Sequence, residues 1–313
     1  MIEPRPAHPF AWATHSWGAA LHSSRLDEVA PHLFTTRDLA LRGPHSEEGW
    51  RHLAVALGVQ PSRLARLKQV HGTTVHVLRR PAPAPRRARG VVSLSNHGAR
   101  RPASMASAGK VTTGDTDDDG RPRADIVMTD DPTIAVAVQV ADCVPLLLAD
   151  PVTGAVAAVH AGWRGTAAGA AREAVAAMQA HFGARPSDLI AAIGPSIGPC
   201  CYQVGADVVD AFHAAGFADE QMCEWFRPEA GDFESWRGTS AVRDAGHPVL
   251  RVSAARYLLD VPKANIDQLS AAGLQPANIG ACRLCTACHP SVFHSYRRDG
   301  AGTGRLAGAI RPK

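Results

Sequence analysis

Apolar residues recur along the chain at two spacings, one typical of strands and one typical of helices. Between residues 134 and 140 every second position is Ile or Val, which predicts a strand. Between residues 48 and 57 the apolar positions have helical spacing and Gly58 ends the run, which predicts a helix. The same reasoning predicts further strands over residues 32–37, 73–78, 144–149 and 155–160.

A second helix is predicted over residues 166–182. Ala171, Val175, Met178 and Phe182 follow one another at spacings of four and three, so they share one face of that helix. The chain therefore combines strands and helices, with no internal repeat.

Two segments lack these patterns. Residues 1–30 are polar and rich in Pro and His, which predicts a poorly ordered leader. Residues 81–123 contain Pro-Ala repeats, an Arg-Arg-Ala-Arg run and clustered Asp residues, which predicts a mostly disordered insertion. The expected organisation is a single catalytic domain over residues 31–313, interrupted by this insertion.

The basic part of the insertion has an alternative interpretation as an arm that contacts nucleic acid. The arginines that would make those contacts are Arg79, Arg80, Arg86, Arg87 and Arg89. Charge runs of this kind are usually only solvated, so a nucleic-acid partner is not expected.

Composition narrows the class of protein. The chain has 313 residues and is 45% hydrophobic, which is ample for a buried core. Its net charge of +4 at pH 7 does not by itself indicate a nucleic-acid partner. Its start contains no apolar signal region, and no run approaches the roughly 18 apolar residues of a membrane span. Seven cysteines, an odd number in a long chain, fit a reducing compartment. We therefore expect a cytoplasmic protein with no membrane partner, and the oligomeric state is left open.

The most informative pattern is a predicted hairpin that contains a thiol and an imidazole. A turn centred on Pro151 and Val152 pairs the strands so that Cys143 faces His160, with Cβ atoms about 5 Å apart. That distance suits a thiolate and an imidazole that bind one zinc ion. A bulge at Gly154 would shift this register by about one residue.

A third ligand is available at His71, just before Gly72 and the strand predicted at residues 73–78. Three protein ligands with an open fourth position are the arrangement of a catalytic zinc site. The residues alone also allow a second interpretation, in which Cys143 is a buried core thiol and the histidines are ordinary polar residues. The spacing matches no standard zinc signature, so the pattern does not decide between the two.

After His160 a glycine-bounded turn leads directly into the predicted helix. Helix N-termini attract anions through free N–H groups and the macrodipole, and Arg164 lies in this turn. A phosphate could therefore bind beside the metal ligands. The alternative is that Gly162 and Gly165 only shape the turn and that Arg164 is a surface residue.

Several motifs occur together between Phe34 and the C-terminus. In chain order they are FTTR at 34–37, KQVHG at 68–72, AD at 124–125, TD at 129–130, ADCVP at 141–145, HAGWRGT at 160–166, IGPSIGPCCY at 193–202, CT at 285–286, SYRRDG at 295–300 and TGR at 303–305. The HAGWRG and SYRRDG segments are very specific. With this set the chain resembles the purine nucleoside phosphorylase and adenosine deaminase family formerly called polyphenol oxidases, the laccase-domain or YfiH-like proteins.

The resemblance implies an α/β (α+β) fold, a single domain of the laccase-domain or cysteine-hydrolase-like type with mixed β-sheets layered between helices. It implies zinc, with copper as the alternative metal, bound by His71, Cys143 and His160. It implies phosphorolysis of adenosine, inosine and methylthioadenosine to free base and ribose 1-phosphate, and deamination of adenosine. The expected partners are purine nucleosides and phosphate. The older family name implies a copper-dependent, laccase-like polyphenol oxidase as the alternative.

Motif residues suit that chemistry. Deamination requires a metal-activated water, which zinc with an open position supplies. Phosphorolysis requires a bound phosphate, and guanidinium groups donate paired hydrogen bonds to its oxygens. The candidates for phosphate binding are Arg37, Arg164, Arg297 and Arg298. Arg297 and Arg298 have the alternative of a structural ion pair with Asp299.

Three motif residues are candidates for catalysis. Tyr202 could contact the ribose or the base, and Arg164 could act on the phosphate. Asp142, next to Cys143, could carry a proton or hold a metal ligand in position.

The chain departs from the family pattern at several places. Residues 38–42 replace the glycine-rich turn and asparagine-bearing stretch that usually follow the first motif, which puts substrate contacts from this segment in doubt. Gln203 stands where Glu is frequent, and His294 replaces a common Phe. The insertion at residues 81–123 is not a family feature. None of these departures touches the three metal-ligand positions.

Cysteines near the C-terminus form a second pattern. Cys282, Cys285 and Cys288 have the spacing C-x-x-C-x-x-C of an iron–sulfur or second zinc site, although the only further ligand nearby is His289. Residues 285–289 also match the C-x-x-C-H pattern of covalent haem. Haem attachment requires export, so haem is not expected. The alternative is a loop with unbound thiols.

Two other enzyme classes compete with the phosphorylase. A laccase-type multicopper oxidase uses several His-x-His pairs, and no two of the 15 histidines are separated by a single residue. A cysteine hydrolase with Cys143 as nucleophile and His160 as base fits the same facing geometry. Metal content distinguishes the hydrolase, because a zinc-bound thiolate is not a free nucleophile.

Overall fold

Strands and helices contribute similar numbers of residues to the regular structure of the described ranges. The computed structural model describes residues 3–80, 116–229 and 256–313, and within these ranges the strands form two six-stranded sheets and one three-stranded sheet. The strands are β1 Phe10–His15, β2 Gly18–Ser23, β3 His32–Thr35, β4 Leu64–Arg66, β5 Val75–Leu78, β6 Ile126–Thr129, β7 Ala135–Val140, β8 Val144–Ala149, β9 Val156–Ala161, β10 Ile190–Ile193, β11 Gln203–Val204, β12 Phe226–Pro228, β13 Tyr257–Leu259, β14 Ile279–Ala281 and β15 Leu306–Ile310.

Helices connect and cover these strands. The α-helices of the described ranges are α1 Ser24–Asp27, α2 Ser46–Ala56, α3 Trp163–Ala167, α4 Ala170–Phe182, α5 Ala206–Ala214, α6 Asp219–Trp225, α7 Val261–Ala271 and α8 Tyr296–Asp299. Short 3-10 turns occupy Pro61–Arg63, Pro186–Asp188, Pro276–Asn278 and Gly300–Gly302.

The two large sheets are mixed. The first has the strand order β1-β2-β3-β15-β7-β4, and the second has the order β14-β10-β8-β9-β6-β5. The pairs β4–β7, β5–β6 and β10–β14 are parallel, and the other neighbours are antiparallel. The last strand, β15, lies between β3 and β7 in the first sheet, so this sheet combines segments from both ends of the chain.

The inner faces of the large sheets pack against each other. Val136 and Val138 of β7 and Leu147 and Ala149 of β8 belong to one buried cluster between the sheets. Each fully buried Val or Leu side chain contributes about 1.5–3 kcal/mol. Alternate residues of the same strands face outward, so the strands are apolar on both faces.

Helices cover the outer faces. Ala135 of β7 packs with Trp50 and Leu53 of α2, and Leu148 of β8 packs with Met178 of α4. The order across the molecule is therefore helix, sheet, sheet and helices. This confirms the predicted α/β fold with mixed sheets layered between helices.

The predicted helices are present with one correction. The helix expected at residues 48–57 is α2, and Gly58 follows it with φ 71°. The helix expected at residues 166–182 is divided into α3 and α4, because Gly169 adopts φ 84° between them. A residue in the left-handed backbone conformation cannot continue an α-helix, and glycine adopts this conformation without a steric cost.

The predicted leader is wrong for most of its length. Strands β1 and β2 form a hairpin in full register, and β2 pairs with β3 at the edge of the first sheet. Phe10 and Leu21 are buried in the core between the sheets, and the Trp12 ring stacks on Phe293 with centroids 6.2 Å apart. The His-rich composition concealed these few large apolar side chains, which are sufficient to fix the hairpin on the sheet.

The end of the predicted insertion is also ordered. The backbone of Pro122 forms an antiparallel β-bridge with Thr116, and that of Arg123 forms a parallel β-bridge with Lys68. The Arg121 side chain donates to the Asp117 carboxylate. Residues 81–115 lie outside the described residues, and with them the arginines 86, 87 and 89 of the alternative nucleic-acid arm. Among the described helices, none has the length and apolar character that crossing a bilayer requires.

Candidate active site

Three predicted metal ligands come together from three separate segments. His71 lies in the connection between β4 and β5, Cys143 in the turn between β7 and β8, and His160 in β9. Their donor atoms all lie within 4.8 Å of one another. The two imidazole rings meet edge to face, with centroids 4.8 Å apart and an interplanar angle of 82°.

The predicted pairing of Cys143 with His160 across the ladder is wrong by two residues. Strands β8 and β9 pair Pro145 with His160, because four residues separate Asp150 from its partner Ala155 in the turn. Cys143 precedes the ladder and reaches His160 from the β7–β8 turn. The proximity of the two side chains is therefore produced by a turn, not by strand register.

A buried carboxylate organises this cluster. The fully buried Asp125, just before β6, accepts a hydrogen bond from His160 Nδ1 at 2.9 Å. It also accepts from the backbone N–H groups of His71 at 2.9 Å and Gly72 at 2.7 Å. These bonds lower the pKa of Asp125 although its burial alone would raise it. They orient two of the three ligands, since the His160 ring is fixed by its Nδ1 and leaves Nε2 as the donor.

Asp125 was not assigned a role from the sequence. The Ala124-Asp125 motif is present in the sequence, but no spacing rule connects residue 125 to residues 71 and 160. Only the pairing of β6 with both β5 and β9 brings these three positions together.

The thiol and imidazole strongly affect each other. Burial alone would raise the pKa of Cys143, but His160 and His71 outweigh it and lower this pKa to about 6. Burial alone would lower the pKa of His160, but Cys143 and Asp125 raise it to about 9. The cluster therefore favours a thiolate, which is the form of cysteine that binds metals or acts as a nucleophile.

Backbone conformation at the cluster is unusual. His71 has φ 61° and Asp142 has φ 88°, a region that residues other than glycine adopt rarely. Gly162 approaches closely, since a Cβ atom there would lie 2.8 Å from Cys143 Sγ. Such local strain is typical of positions where a side chain must point in one direction.

Asp142 lines the site, and its carboxylate binds neighbouring loops. Oδ1 accepts a hydrogen bond from the Thr286 hydroxyl at 2.6 Å, and Oδ2 accepts from the backbone N–H of Arg297 at 2.6 Å. Of the two roles predicted for Asp142, these contacts favour the one that holds the Cys143 turn in position.

The three predicted ligands open onto a cavity of about 630 Å³. Among the described residues, five cationic side chains and one carboxylate, that of Asp142, line it, and three aromatic rings complete the wall. The cations are Lys68, Arg121, Arg164, Arg297 and Arg305, and the aromatic residues are Trp163, Tyr202 and Tyr296. A volume in this range suits a small organic ligand, and the surplus of positive charge favours an anionic one.

The predicted arginines separate into two groups. Arg164 and Arg297 line the cavity, whereas Arg37 and Arg298 are not among its lining residues. Arg37 donates to the Pro290 carbonyl. Arg298 forms an ion pair with Asp299 and donates to three backbone carbonyls, those of Thr286, Ala287 and Phe293. The structural alternative therefore describes Arg298 better than phosphate binding does.

Arg305 lines the cavity and was not predicted as a site residue. Its Nη1 donates to the carbonyl oxygens of Thr303 and Gly304 at 3.1 and 2.9 Å. The signal was the TGR motif, which the sequence alone does not connect to the metal ligands. The position of Arg305 immediately before β15, next to β7, makes that connection.

Tyr202 and Arg164 also lie in the wall. The Arg297 guanidinium is 5.0 Å from the centroid of the Tyr202 ring, and the Arg164 guanidinium is 4.3 Å from the centroid of the Trp163 ring. Burial raises the pKa of Tyr202, so its hydroxyl stays protonated. Helix α3, which follows His160, has only five residues, so Arg164 is a better candidate for anion binding than the helix N-terminus.

The chain is similar to known proteins in both sequence and fold. The family model described as multi-copper polyphenol oxidoreductase laccase matches residues 44–313. The chain is 31% identical over 298 residues to a purine nucleoside phosphorylase of Deinococcus radiodurans, covering 90% of this chain and 89% of that protein. It is 36% identical over 189 residues to purine nucleoside phosphorylase YlmD of Geobacillus stearothermophilus, and this match spans 60% of each chain.

Two further similarities concern a second activity and the fold. The chain is 34% identical over 180 residues to adenosine deaminase RL5 from an unknown prokaryotic organism, covering 58% of this chain and 59% of that protein. The crystal structure of hypothetical protein YfiH of Bacillus licheniformis superposes with a TM-score of 0.71 at 26% identity, covering 98% of this chain and all of that one.

Proposed function

The chain belongs to the family described as multi-copper polyphenol oxidoreductase laccase, and from this premise we propose that it is a purine nucleoside phosphorylase. Its proposed substrates are adenosine, inosine and methylthioadenosine, which phosphate cleaves to a free base and a pentose 1-phosphate. Deamination of adenosine is the proposed second activity. The observation that carries the proposal is a trio of metal-ligand side chains beside a cavity lined by cations and aromatic rings.

His71, Cys143 and His160 fit a zinc ion. Imidazole nitrogen and thiolate sulfur are donors that zinc takes in proteins, and three protein ligands are typical of catalytic zinc. Asp125 fixes His160 in the tautomer that leaves Nε2 available. When bound, zinc would supply Lewis-acid activation of water for attack on C6 of adenine. Copper accepts the same donor types, so zinc is part of the proposal.

Phosphate binding is assigned to Arg164, Arg297 and Arg305. A guanidinium group donates paired hydrogen bonds to phosphate oxygens. Arg297 is already anchored, because its backbone N–H donates to Asp142 and its Nη1 donates to the Gln203 carbonyl at 2.8 Å. Anchored side chains lose less conformational entropy when the anion binds.

In phosphorolysis an oxygen of phosphate bonds to C1′ of the pentose while the bond from C1′ to the purine nitrogen breaks. The electron pair of the broken bond remains with the base, which takes up one proton. The arginines hold the attacking phosphate, and the rings of Trp163, Tyr202 and Tyr296 provide surfaces on which the base can stack. Positioning of this kind supplies much of the rate enhancement in two-substrate reactions.

We assign these activities to one catalytic domain because β3, β7 and β15 come from distant parts of the chain and form one sheet beside the cavity. We also propose a cytoplasmic enzyme. None of the seven cysteines, all of which lie in the described ranges, forms a disulfide, which fits a reducing compartment.

One observation favours a second candidate, a cysteine hydrolase. The lowered pKa of Cys143 and the raised pKa of His160 favour a thiolate–imidazolium pair, which is the arrangement of an activated cysteine nucleophile. His71 argues for the metal, since a hydrolase of this type does not require a third donor at the same point. The copper-dependent polyphenol oxidase, suggested by the family description, is the third candidate.

The proposal is tested with protein of measured metal content. Adenosine is incubated with and without phosphate, and the products are separated by chromatography. Adenine and ribose 1-phosphate should form only with phosphate, with inosine as a side product in both cases. Absence of any nucleoside turnover by wild-type protein that holds one equivalent of zinc more than Cys143→Ala would contradict the proposal.

Matched variants assign the activity to the site. Cys143→Ala and His160→Ala should lose both reactions, whereas Cys223→Ala, a half-buried thiol on α6 away from the cavity lining, should keep them. Phenol oxidation with added copper and thiol-dependent ester hydrolysis are measured on the same proteins. Activity in either assay that exceeds nucleoside turnover would favour the corresponding alternative.

A further inference from the structure

Four cysteine thiols form a second cluster outside the cavity lining. Cys200, Cys201, Cys285 and Cys288 have sulfur atoms that all lie within 4.8 Å of one another. Cys288 Sγ is 3.4 Å from the sulfur atoms of both Cys200 and Cys201. Cys282, which completes the C-x-x-C-x-x-C spacing in the sequence, is instead buried in the core between the sheets.

The cluster joins two loops that are already fixed to each other. Ser196 and Cys285 form a parallel bridge, in which the Thr286 N–H donates to the Ser196 carbonyl at 3.0 Å. The backbone N–H of Gly198 donates to Cys285 Sγ at 3.3 Å. An N–H donor to a cysteine sulfur is typical of a thiolate ligand, and the loops hold all four sulfurs near one point without further movement.

A cation would relieve the repulsion between four thiolates held this close together. The sulfur atoms of Cys200, Cys201, Cys285 and Cys288 all lie within 4.8 Å of one another. Adjacent thiolates repel one another, and a divalent cation at their centre removes that cost.

Distances favour a single ion. Four sulfurs at about 2.3 Å from a tetrahedral zinc ion lie about 3.8 Å apart. The observed separations, 3.4 Å for two pairs and at most 4.8 Å for the rest, bracket this value. Several iron atoms would require the sulfurs to be farther apart, and a disulfide would use only two of the four thiols.

We propose that Cys200, Cys201, Cys285 and Cys288 bind a second zinc ion as a closed tetrathiolate site. Binding converts four thiols to thiolates and releases four protons to the solvent, which leaves a site with two negative charges. The Arg298 guanidinium, which donates to the carbonyls of Thr286 and Ala287 inside the Cys285–Cys288 loop, supplies a neighbouring positive charge. This gives a function to an arginine that does not line the cavity.

The site ties together two loops that also shape the cavity. Tyr202 follows Cys201 directly and lines the cavity, and Thr286 follows Cys285 and donates to Asp142. The second zinc is therefore structural and positions these residues. The proposal does not depend on which reaction the cavity catalyses.

The test is metal content of the full chain, purified under reducing conditions and measured by plasma mass spectrometry. The wild type should hold about two equivalents of zinc, and Cys288→Ser and Cys143→Ser should each lose about one of them. Cys223→Ser, a thiol outside both clusters, should lose none. Equal zinc content in the wild type and Cys288→Ser, or iron in place of zinc, would overturn the proposal.

A second measurement on the wild type covers the case in which Cys288→Ser does not fold. Native protein is labelled with iodoacetamide before and after zinc is removed by a chelator, and modified cysteines are located by peptide mass spectrometry. The exposed Cys200 and Cys288 should be protected until zinc is removed. Labelling of both thiols at the rate of a free exposed cysteine in the untreated protein, or a disulfide within the cluster, would contradict a tetrathiolate site.

Discussion

Two of the clusters of candidate metal ligands in the described residues differ in the way that separates catalytic from structural sites. His71, Cys143 and His160 provide mixed nitrogen and sulfur donors and open onto a cavity. The cluster of Cys200, Cys201, Cys285 and Cys288 provides sulfur only, with two exposed members and no place in the cavity lining.

This difference shows what each site can do. Three ligands leave room for a substrate or water, whereas four thiolates complete a tetrahedron and exclude both. The loops of the closed cluster lead directly into the wall of the open one, through Tyr202 and Thr286. One site can therefore support the geometry of the other without taking part in its chemistry.

The largest effect is expected from Cys143→Ala at the open site. Loss of a ligand removes several kcal/mol of Lewis-acid stabilisation, so kcat/KM for adenosine should fall by roughly a thousandfold. Steady-state kinetics with quantified metal measures this change. A variant that retained more than about a tenth of the activity would exclude a catalytic role for the Cys143 thiol.

A smaller effect is expected from Asp125→Asn, which keeps all three ligands. The substitution removes the negative charge that orients His160 and accepts the backbone N–H groups of His71 and Gly72. Zinc affinity should fall by about 10- to 100-fold, as measured by competition with a chromogenic chelator. Asp131→Asn serves as the control, because this buried carboxylate accepts from Thr133 and Arg63 instead. Unchanged affinity in Asp125→Asn would show that the ligands need no such support.

Arg305→Ala should separate the two reactions at the open site. Loss of a cation from the cavity wall should raise KM for phosphate by about tenfold, which corresponds to about 1.4 kcal/mol for a charge-assisted hydrogen bond. Deamination of adenosine, which uses no phosphate, should change less.

Arg298→Ala is the matched comparison for Arg305→Ala. Its guanidinium binds Asp299 and loop carbonyls, so the variant should lower the thermal midpoint and leave KM for phosphate unchanged. An equal rise of KM for phosphate in both variants would place Arg298 in the anion site after all.

The smallest effect is expected at a third group of ligand-type residues, His22, Asp27 and His32. Both ring nitrogens of His32 are already used, by the Ala30 carbonyl and the Ser23 N–H, so this group is not a third metal site. Burial, followed by repulsion from His32, lowers the pKa of His22 from 6.5 to about 4.

The lowered pKa of His22 makes the free energy of unfolding depend on pH. His22 binds a proton more readily in the unfolded chain, so the free energy of unfolding is greatest above pH 6.5 and falls as the pH drops toward about 4. The loss should be on the order of 2 kcal/mol and should shrink in His22→Gln, while the exposed His45→Gln follows the wild type. Urea unfolding between pH 7 and pH 4 measures it, and identical curves for all three proteins would contradict the prediction.

The sequence determined the family, the fold class and the identity of the three ligands as candidates. Motifs such as HAGWRG can be recognised in the sequence because each is one continuous segment. Strand and helix periodicity can also be recognised, since it reflects burial along a single element, as in β7 and α2.

Only the tertiary structure decided which residues meet. It moved the thiol of Cys143 from the ladder to a turn, added Asp125 and Arg305 to the site and removed Arg37 and Arg298 from the cavity. It also grouped Cys285 and Cys288 with Cys200 and Cys201 in place of Cys282. The physical reason is that turn length, backbone strain and sheet order set distances between segments that are far apart in the chain. Those quantities arise from packing of the whole molecule, so no local pattern of residues contains them.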